Sequence, residues 1–248
     1  MNRFFVDRDA VQGGIIEITH RDAIKHISRV LRLSPGDRLE ISDSAEFEYV
    51  TEILDIGSSA ITLKILDKQK FAREPGTKVT LYQGIPKQGK METIIQKCVE
   101  LGVHAIVPVF TARTIVTEKQ GFEKKPERWN RICAEAVKQC KRGIIPEVRK
   151  SLRFSEMIAD FKEGGKYDLI IFPYEEENER SIKDVLRGFG GVNRNIAFII
   201  GPEGGFSQDE ARAVIDADGV PVSLGKTILR TETAGPSALA MIMYELEL

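Results

Sequence analysis

The 248-residue chain carries only three cysteines, Cys98, Cys133 and Cys140, an odd number with no C-x-x-C spacing. Neither a disulfide framework nor a zinc site is encouraged, and the three read as small buried hydrophobes. Histidines are equally few: His20, His26 and His104 share no local spacing for a metal site or a nucleophilic dyad, which leaves structural or phosphate-contacting roles. The longest apolar run, Ala238 to Tyr244, is far below the ~20 residues of a bilayer span. The opening Met1–Asp9 lacks an apolar stretch of signal-peptide length, so no membrane association and a cytoplasmic protein are expected. Neither a G-x-G-x-x-G dinucleotide motif nor a phosphate-cradling G-x-x-x-x-G-K-[ST] motif is present, and no internal repeat stands out.

A large net charge is also missing, with 36 Lys+Arg against 37 Asp+Glu. With 42% hydrophobic and 29% charged residues, disordered, collagen-like and disulfide-scaffold classes are excluded. The balance conceals an asymmetry: net charge is -2 over residues 1–70, +8 over 71–150 and -7 over 151–248. A basic middle third within an otherwise acidic chain suits either a face that meets nucleic-acid phosphates or an ordinary solvated surface.

Residues 1–70 hold short strand-like runs at 14–18, 37–41, 49–53 and 60–66, interrupted by one helical stretch from His20 to Leu33. They read as a small β-barrel or sandwich. Lys68 to Gly76, charged and ending in a Pro-Gly turn, reads as a linker, which puts the domain boundary at 70/71. Beyond it, strands expected near 79–82, 105–110, 167–172, 196–200 and 221–224 alternate with helices, the pattern of an α/β domain with a largely parallel sheet. Met91, Ile94, Ile95, Cys98, Val99 and Leu101 form one helical stripe closed by Gly102.

Three of these strands run directly into loops. Ile196–Ile200 leads to Gly201-Pro202-Glu203-Gly204-Gly205-Phe206, followed by a capping box at Ser207 and Glu210. Leu169–Phe172 leads to Pro173-Tyr174-Glu175, and Val222–Leu224 leads to Gly225 and then Arg230–Ala234, ahead of an apolar helix over 237–246 with Thr233 as N-cap and Pro236 in its first turn. Ligands bind at the carboxyl ends of parallel strands, and glycine lets backbone approach a ligand. The glycine run alone is equally consistent with a tight turn. On the helix expected from Glu127 to Arg142 and ended by Gly143, Arg128, Arg131, Glu135, Lys138 and Arg142 share about a quarter of the circumference. This stripe is either an RNA-facing surface or a solvated face.

The combination of His26–Leu33 with Gly36-Asp37, Gln83–Lys87, Glu100–Val103, the Glu135/Gln139/Arg142 run, Ile200–Ser207 and Leu224–Ala234 resembles the RsmE-type 16S rRNA uridine N3-methyltransferases of the SPOUT superfamily, over essentially the whole chain. The resemblance implies an α/β protein: a PUA-like RNA-recognition β-barrel over 1–70, then a SPOUT α/β domain over 71–248 whose end forms a trefoil knot around S-adenosylmethionine. It also implies a homodimer acting on 16S rRNA, either naked or within the small ribosomal subunit, with no metal. One departure is Lys87-Gln88-Gly89-Lys90, where the family often has Lys-Gly-Asp-Lys.

On this resemblance, cofactor contacts fall at Phe172, Pro173, Tyr174 and Glu175, at Ile200, Gly201, Pro202, Glu203, Gly204 and Gly205, and at Leu224, Gly225, Ile228, Leu229, Arg230, Thr233 and Ala234. RNA contacts fall at Arg3, His26, Arg29, Arg32, Lys87 and Lys90. Arg142 or Arg230 would stabilise negative charge developing on the uracil oxygens, and Glu203 or Glu232 would accept the N3 proton. Two other classes stay open: a non-catalytic RNA-binding assembly factor, and a nucleotide-phosphate enzyme using the Gly201–Gly205 turn.

Overall fold

Alternating polar and apolar residues in the first third and continuous apolar strands beyond it produce two different sheets in the computed structural model, which describes residues 2–71, 73–87, 89–116, 122, 125–190 and 194–247. The chain divides into two compact units, one of residues up to Glu74 together with Val137–Ile145, the other of Pro75–Ala136 together with Pro146 onward.

In the first unit, β1 (Arg3–Phe5), β2 (Val11–Gln12), β3 (Ile15–Ile18), β4 (Arg38–Ser42), β5 (Phe47–Ile56) and β6 (Ile61–Lys70) form a six-stranded sheet ordered β1-β4-β5-β6-β3-β2. Only the β1–β4 pairing is parallel. Its inward residues, including Ile16, Leu39, Ile41, Ile53, Ile61 and Leu63, make one core with Ile24 and Ile27. The helix expected over 20–33 is shorter: α1 (Arg21–Lys25) passes into a π-helical turn, His26–Val30, and Arg32 beyond it has a positive φ of 53°. Lys68–Lys70, expected as linker, are strand, paired with Phe47–Tyr49; the Lys68 ammonium lies 3.8 Å over the Phe47 ring, so the charges that suggested a linker cover an edge instead.

Two arginines expected to serve RNA or chemistry are buried among ion-pair partners in this unit. Arg3 is 8% exposed; it pairs with Glu48 at 2.5 Å and Glu40 at 3.3 Å and donates to the carbonyls of Lys141 and Arg142. Arg142, 5% exposed, donates to both oxygens of Glu74, which also accepts the N–H groups of Gly143 and Ile144. A Cβ on Gly143 would stand 2.5 Å from the Phe71 ring, so this glycine serves close packing.

The second unit is built on β7 (Lys78–Gly84), β8 (Ala105–Phe110), β9 (Glu147–Val148), β10 (Leu152–Arg153), β11 (Leu169–Pro173), β12 (Asn195–Ile200) and β13 (Gly219–Val222). All pairings are parallel, in the order β10-β8-β7-β12-β11-β13, with β9 also beside β8. The last strand lies two residues earlier than expected and ends at Val222, not Leu224. Helices α2 (Lys90–Glu100), α3 (Lys125–Cys140), α4 (Phe154–Lys162), α5 (Ile182–Phe189), α6 (Gln208–Ile215) and α7 (Thr231–Glu247) complete the chain.

The apolar stripe of α2 is buried as far as Val99, whereas Leu101 is 38% exposed; Gly102, at φ 98°, follows the helix. Burial pushes the Cys98 thiol pKa up. Helix α3 stops at Cys140, with Lys141 rather than Gly143 taking the left-handed conformation. Its Arg128 and Arg131 are exposed and pair with Glu92 and Glu127, contacts of about 0–1 kcal/mol each. α7 begins at Thr231, so Thr233 is inside the helix, not its N-cap, and Pro236 lies past the first turn.

Removing the charge of Glu74 takes one carboxylate from the buried Arg142 guanidinium, which costs on the order of 3 kcal/mol. Glu74→Gln should therefore lower the melting temperature of the protein clearly; a wild-type melting curve would show that the pair does not hold this corner.

Candidate active site

Parallel strands end with their carbonyls pointing into loops, and three of those loops meet in the second unit. A cavity of about 600 Å³ opens beyond the carboxyl ends of β11, β12 and β13, the place and size expected for a small-molecule site in an α/β sheet. Of the expected contacts, Pro173, Tyr174, Glu175, Ile200, Gly201, Pro202, Glu203, Gly205, Leu224, Gly225, Ile228, Leu229, Arg230 and Ala234 line it.

Three expected contacts do not. Phe172 is fully buried beneath the pocket, stacked on Tyr174 at 5.2 Å and edge-on to Phe206 at 5.3 Å. Gly204 faces the stem of Arg113, whose guanidinium donates to the Gly204 carbonyl at 2.7 Å. Thr233 lies on the exposed side of α7. Unforeseen lining residues include Glu177, Asn178, Ser223 and Thr231.

The loop after β12 is fixed at both ends. Ser207 and Glu210 form the expected capping box, with Ser207 Oγ accepting the Glu210 N–H at 3.2 Å and Glu210 returning to the Ser207 N–H at 3.0 Å. Glu210 also accepts the Ala112 N–H at 2.7 Å. At the other end, Gln83 Nε2 donates to Thr231 Oγ1 at 2.9 Å, and Thr231 Oγ1 donates to the Gly201 carbonyl at 2.7 Å. Gly84 permits the approach: a Cβ there would stand 2.5 Å from Pro202. Gly205, at φ 65°, lies against the Glu175 carboxylate, so any side chain at 205 would be strained and would meet the pocket wall.

Lys90 bridges two carboxylates. Its ammonium, expected on RNA, pairs with Glu203 at 3.0 Å and Glu232 at 3.1 Å, joining the start of α2, the loop after β12 and the first turn of α7. Glu203 takes the Lys87 N–H as well. These two carboxylates, first with Glu203, hold the Lys90 pKa above its ordinary value. Burial would raise the Glu203 carboxyl, but its own backbone N–H, Lys90 and Lys87 outweigh it and hold it low. Glu232 is held low by its own backbone N–H and by Lys90, against a smaller opposing effect of burial. A carboxylate held in this way is a weak proton acceptor. Among the expected RNA contacts, Lys87 is exposed in this unit, and His26, Arg29 and Arg32 are exposed in the first; Gln88 lies outside the described residues.

The class follows from sequence families as well as from geometry. Residues 73–243 match the RNA methyltransferase domain family and residues 18–66 the RNA methyltransferase PUA domain family. The chain belongs to the RNA methyltransferase family. It is 30% identical to ribosomal RNA small subunit methyltransferase E of Bacillus subtilis, over 100% of this chain and 98% of that one. With the enzyme of the same name from Synechocystis it shares 33% identity over 90% of this chain and 71% of that one. The ribosomal RNA small subunit methyltransferase E of Neisseria gonorrhoeae, solved bound to S-adenosyl methionine, superposes with a TM-score of 0.84 at 28% identity, covering 99% of this chain and 98% of the other. Mixed α/β architecture, with a PUA-type unit ahead of the methyltransferase fold, is thus established.

The Lys90 bridge has a testable pH signature. Because Glu203 and Glu232 titrate below their ordinary value of 4.5 in the folded protein, the stabilisation they contribute is fully present above that value and is lost as pH falls through their lowered values. Lys90→Ala should lower the amide protection factors in the Gly201–Gly205 loop at neutral pH and flatten their fall on acidification. Equal exchange in both proteins across that range would remove Lys90 from this role.

Proposed function

We propose that the protein transfers a methyl group from S-adenosylmethionine to the N3 atom of a uridine in 16S rRNA. Family membership makes it an S-adenosylmethionine-dependent rRNA methyltransferase; the uridine, its N3 atom and 16S rRNA as substrate rest on the resemblance in sequence. The observation that carries the assignment is the pocket beyond β11, β12 and β13, where Gly205, at a φ of 65°, leaves backbone bare.

Bound there, S-adenosylmethionine supplies a methyl group already activated by its sulfonium, so the protein's work is orientation and charge. Pro173, Tyr174, Ile200, Gly201, Pro202, Leu224, Gly225, Ile228, Leu229 and Ala234 are proposed as its walls. Arg230, exposed at the pocket, is proposed to stabilise negative charge on a uracil oxygen, making the N3 proton easier to lose. Glu203 and Glu232 hold Lys90 and are assigned an orienting role; Arg142, committed to Glu74, is assigned a structural one.

The further elements of the reading have the same basis. The first unit is proposed as the RNA-recognition module, through His26, Arg29 and Arg32, with Lys87 contributing from the second; residues 1–70 and 71–248 approximate the two functional domains. A trefoil knot in the C-terminal segment, a homodimer and action in the cytoplasm, on rRNA that is naked or within the small subunit, complete the proposal. Among the described residues no helix is long and apolar enough to cross a membrane.

Calorimetric titration of Gly205→Val tests the cofactor assignment: affinity for S-adenosylmethionine should fall by roughly a hundredfold or more, the scale of a steric block in a close-fitting site, with folding retained. Unchanged affinity would move the cofactor elsewhere.

A further inference from the structure

We infer that Glu175 makes this pocket selective for a positively charged cofactor over its neutral-sulfur product, an inference that rests on the S-adenosylmethionine reading. Three carboxylates line the cavity, and two are already engaged. Glu203 holds Lys90. Glu177 Oε1 accepts the N–H groups of Glu179 at 2.7 Å and Arg180 at 2.9 Å. Glu175 alone of the three has neither a hydrogen bond nor an ion pair among the described residues. Its two oxygens lie against Gly205, 2.8 and 3.0 Å from where a Cβ would stand, and the side chain is exposed on the cavity wall.

The surroundings favour a cation on this side of the site. Glu175 opens a run, Glu175-Glu176-Glu177-Asn178-Glu179, on the loop after β11, whereas Lys226 and Arg230 stand on the loop after β13. Methyl transfer to N3 breaks the sulfur–methyl bond with its electron pair left on sulfur, forms the N3–methyl bond and releases the N3 proton. The ligand therefore loses one positive charge while its ammonium and carboxylate are unchanged. An unpaired carboxylate attracts the sulfonium and has no such attraction for the neutral thioether, so it favours reactant over product and promotes exchange after each turnover.

Titration of the wild-type protein and Glu175→Gln with S-adenosylmethionine, S-adenosylhomocysteine and sinefungin, which carries an ammonium in place of the sulfonium, tests this directly. In the variant, affinity for S-adenosylmethionine and sinefungin should fall roughly three- to fivefold, as for a partly solvated charge pair, with S-adenosylhomocysteine changed less than about twofold. Glu175→Lys should lower affinity for the two cationic ligands relative to S-adenosylhomocysteine further still, and added salt should narrow the wild-type preference. An unchanged ratio between the ligands, or an equal loss for all three, overturns the role of Glu175 while leaving the cofactor assignment intact. A wild-type protein that binds none of the three overturns both.

Discussion

The pocket depends on how the first turn of α7 is pinned. Thr231 takes a hydrogen bond from Gln83 at the end of β7 and gives one to the carbonyl of Gly201 at the end of β12, while its neighbour Glu232 shares Lys90 with Glu203. One helical turn thereby fixes two strand ends and the loop between them. Each hydrogen bond contributes only about 1 kcal/mol net, but a buried carbonyl left without a donor costs about 1–3 kcal/mol, so the arrangement is strongly preferred over a loosened one. The ammonium of Lys90 serves the same end, keeping two glutamates ionised and oriented.

Glycine and charge then divide the work. Gly84 lets β7 approach Pro202, and Gly205 keeps backbone bare beside Glu175. Glu175 and Glu177 come from the loop after β11 and Lys226 and Arg230 from the loop after β13, so these two walls of the cavity differ in charge. That polarity suits a ligand with a cationic sulfur and a substrate ring that develops negative charge.

What could be read from the sequence was local. The capping box at Ser207 and Glu210, the strand end at Ile200 and the glycines of the loop after β12 are short-range signals, and the structure has them where expected. The ion pairs were not legible because the partners are distant in sequence: Arg3 finds Glu48, Arg142 finds Glu74, and Lys90 finds Glu203 and Glu232. No periodicity distinguishes a basic residue that faces RNA from one that closes a fold. The start of α7 was misplaced for a related reason. Pro236 suggested a first turn, but Thr231 and Glu232 are held from outside the helix, and a proline in the interior then costs one helical hydrogen bond in an otherwise anchored element.

The central claim, that this pocket serves methyl transfer to a uridine N3, is tested most directly by incubating the purified protein with 16S rRNA and S-adenosylmethionine and analysing the digested nucleosides by mass spectrometry, repeating the assay with small subunits if naked rRNA is inert. The account predicts one new nucleoside that co-elutes with 3-methyluridine. A methyl group on another atom or base, or no methylation of either substrate, would contradict it.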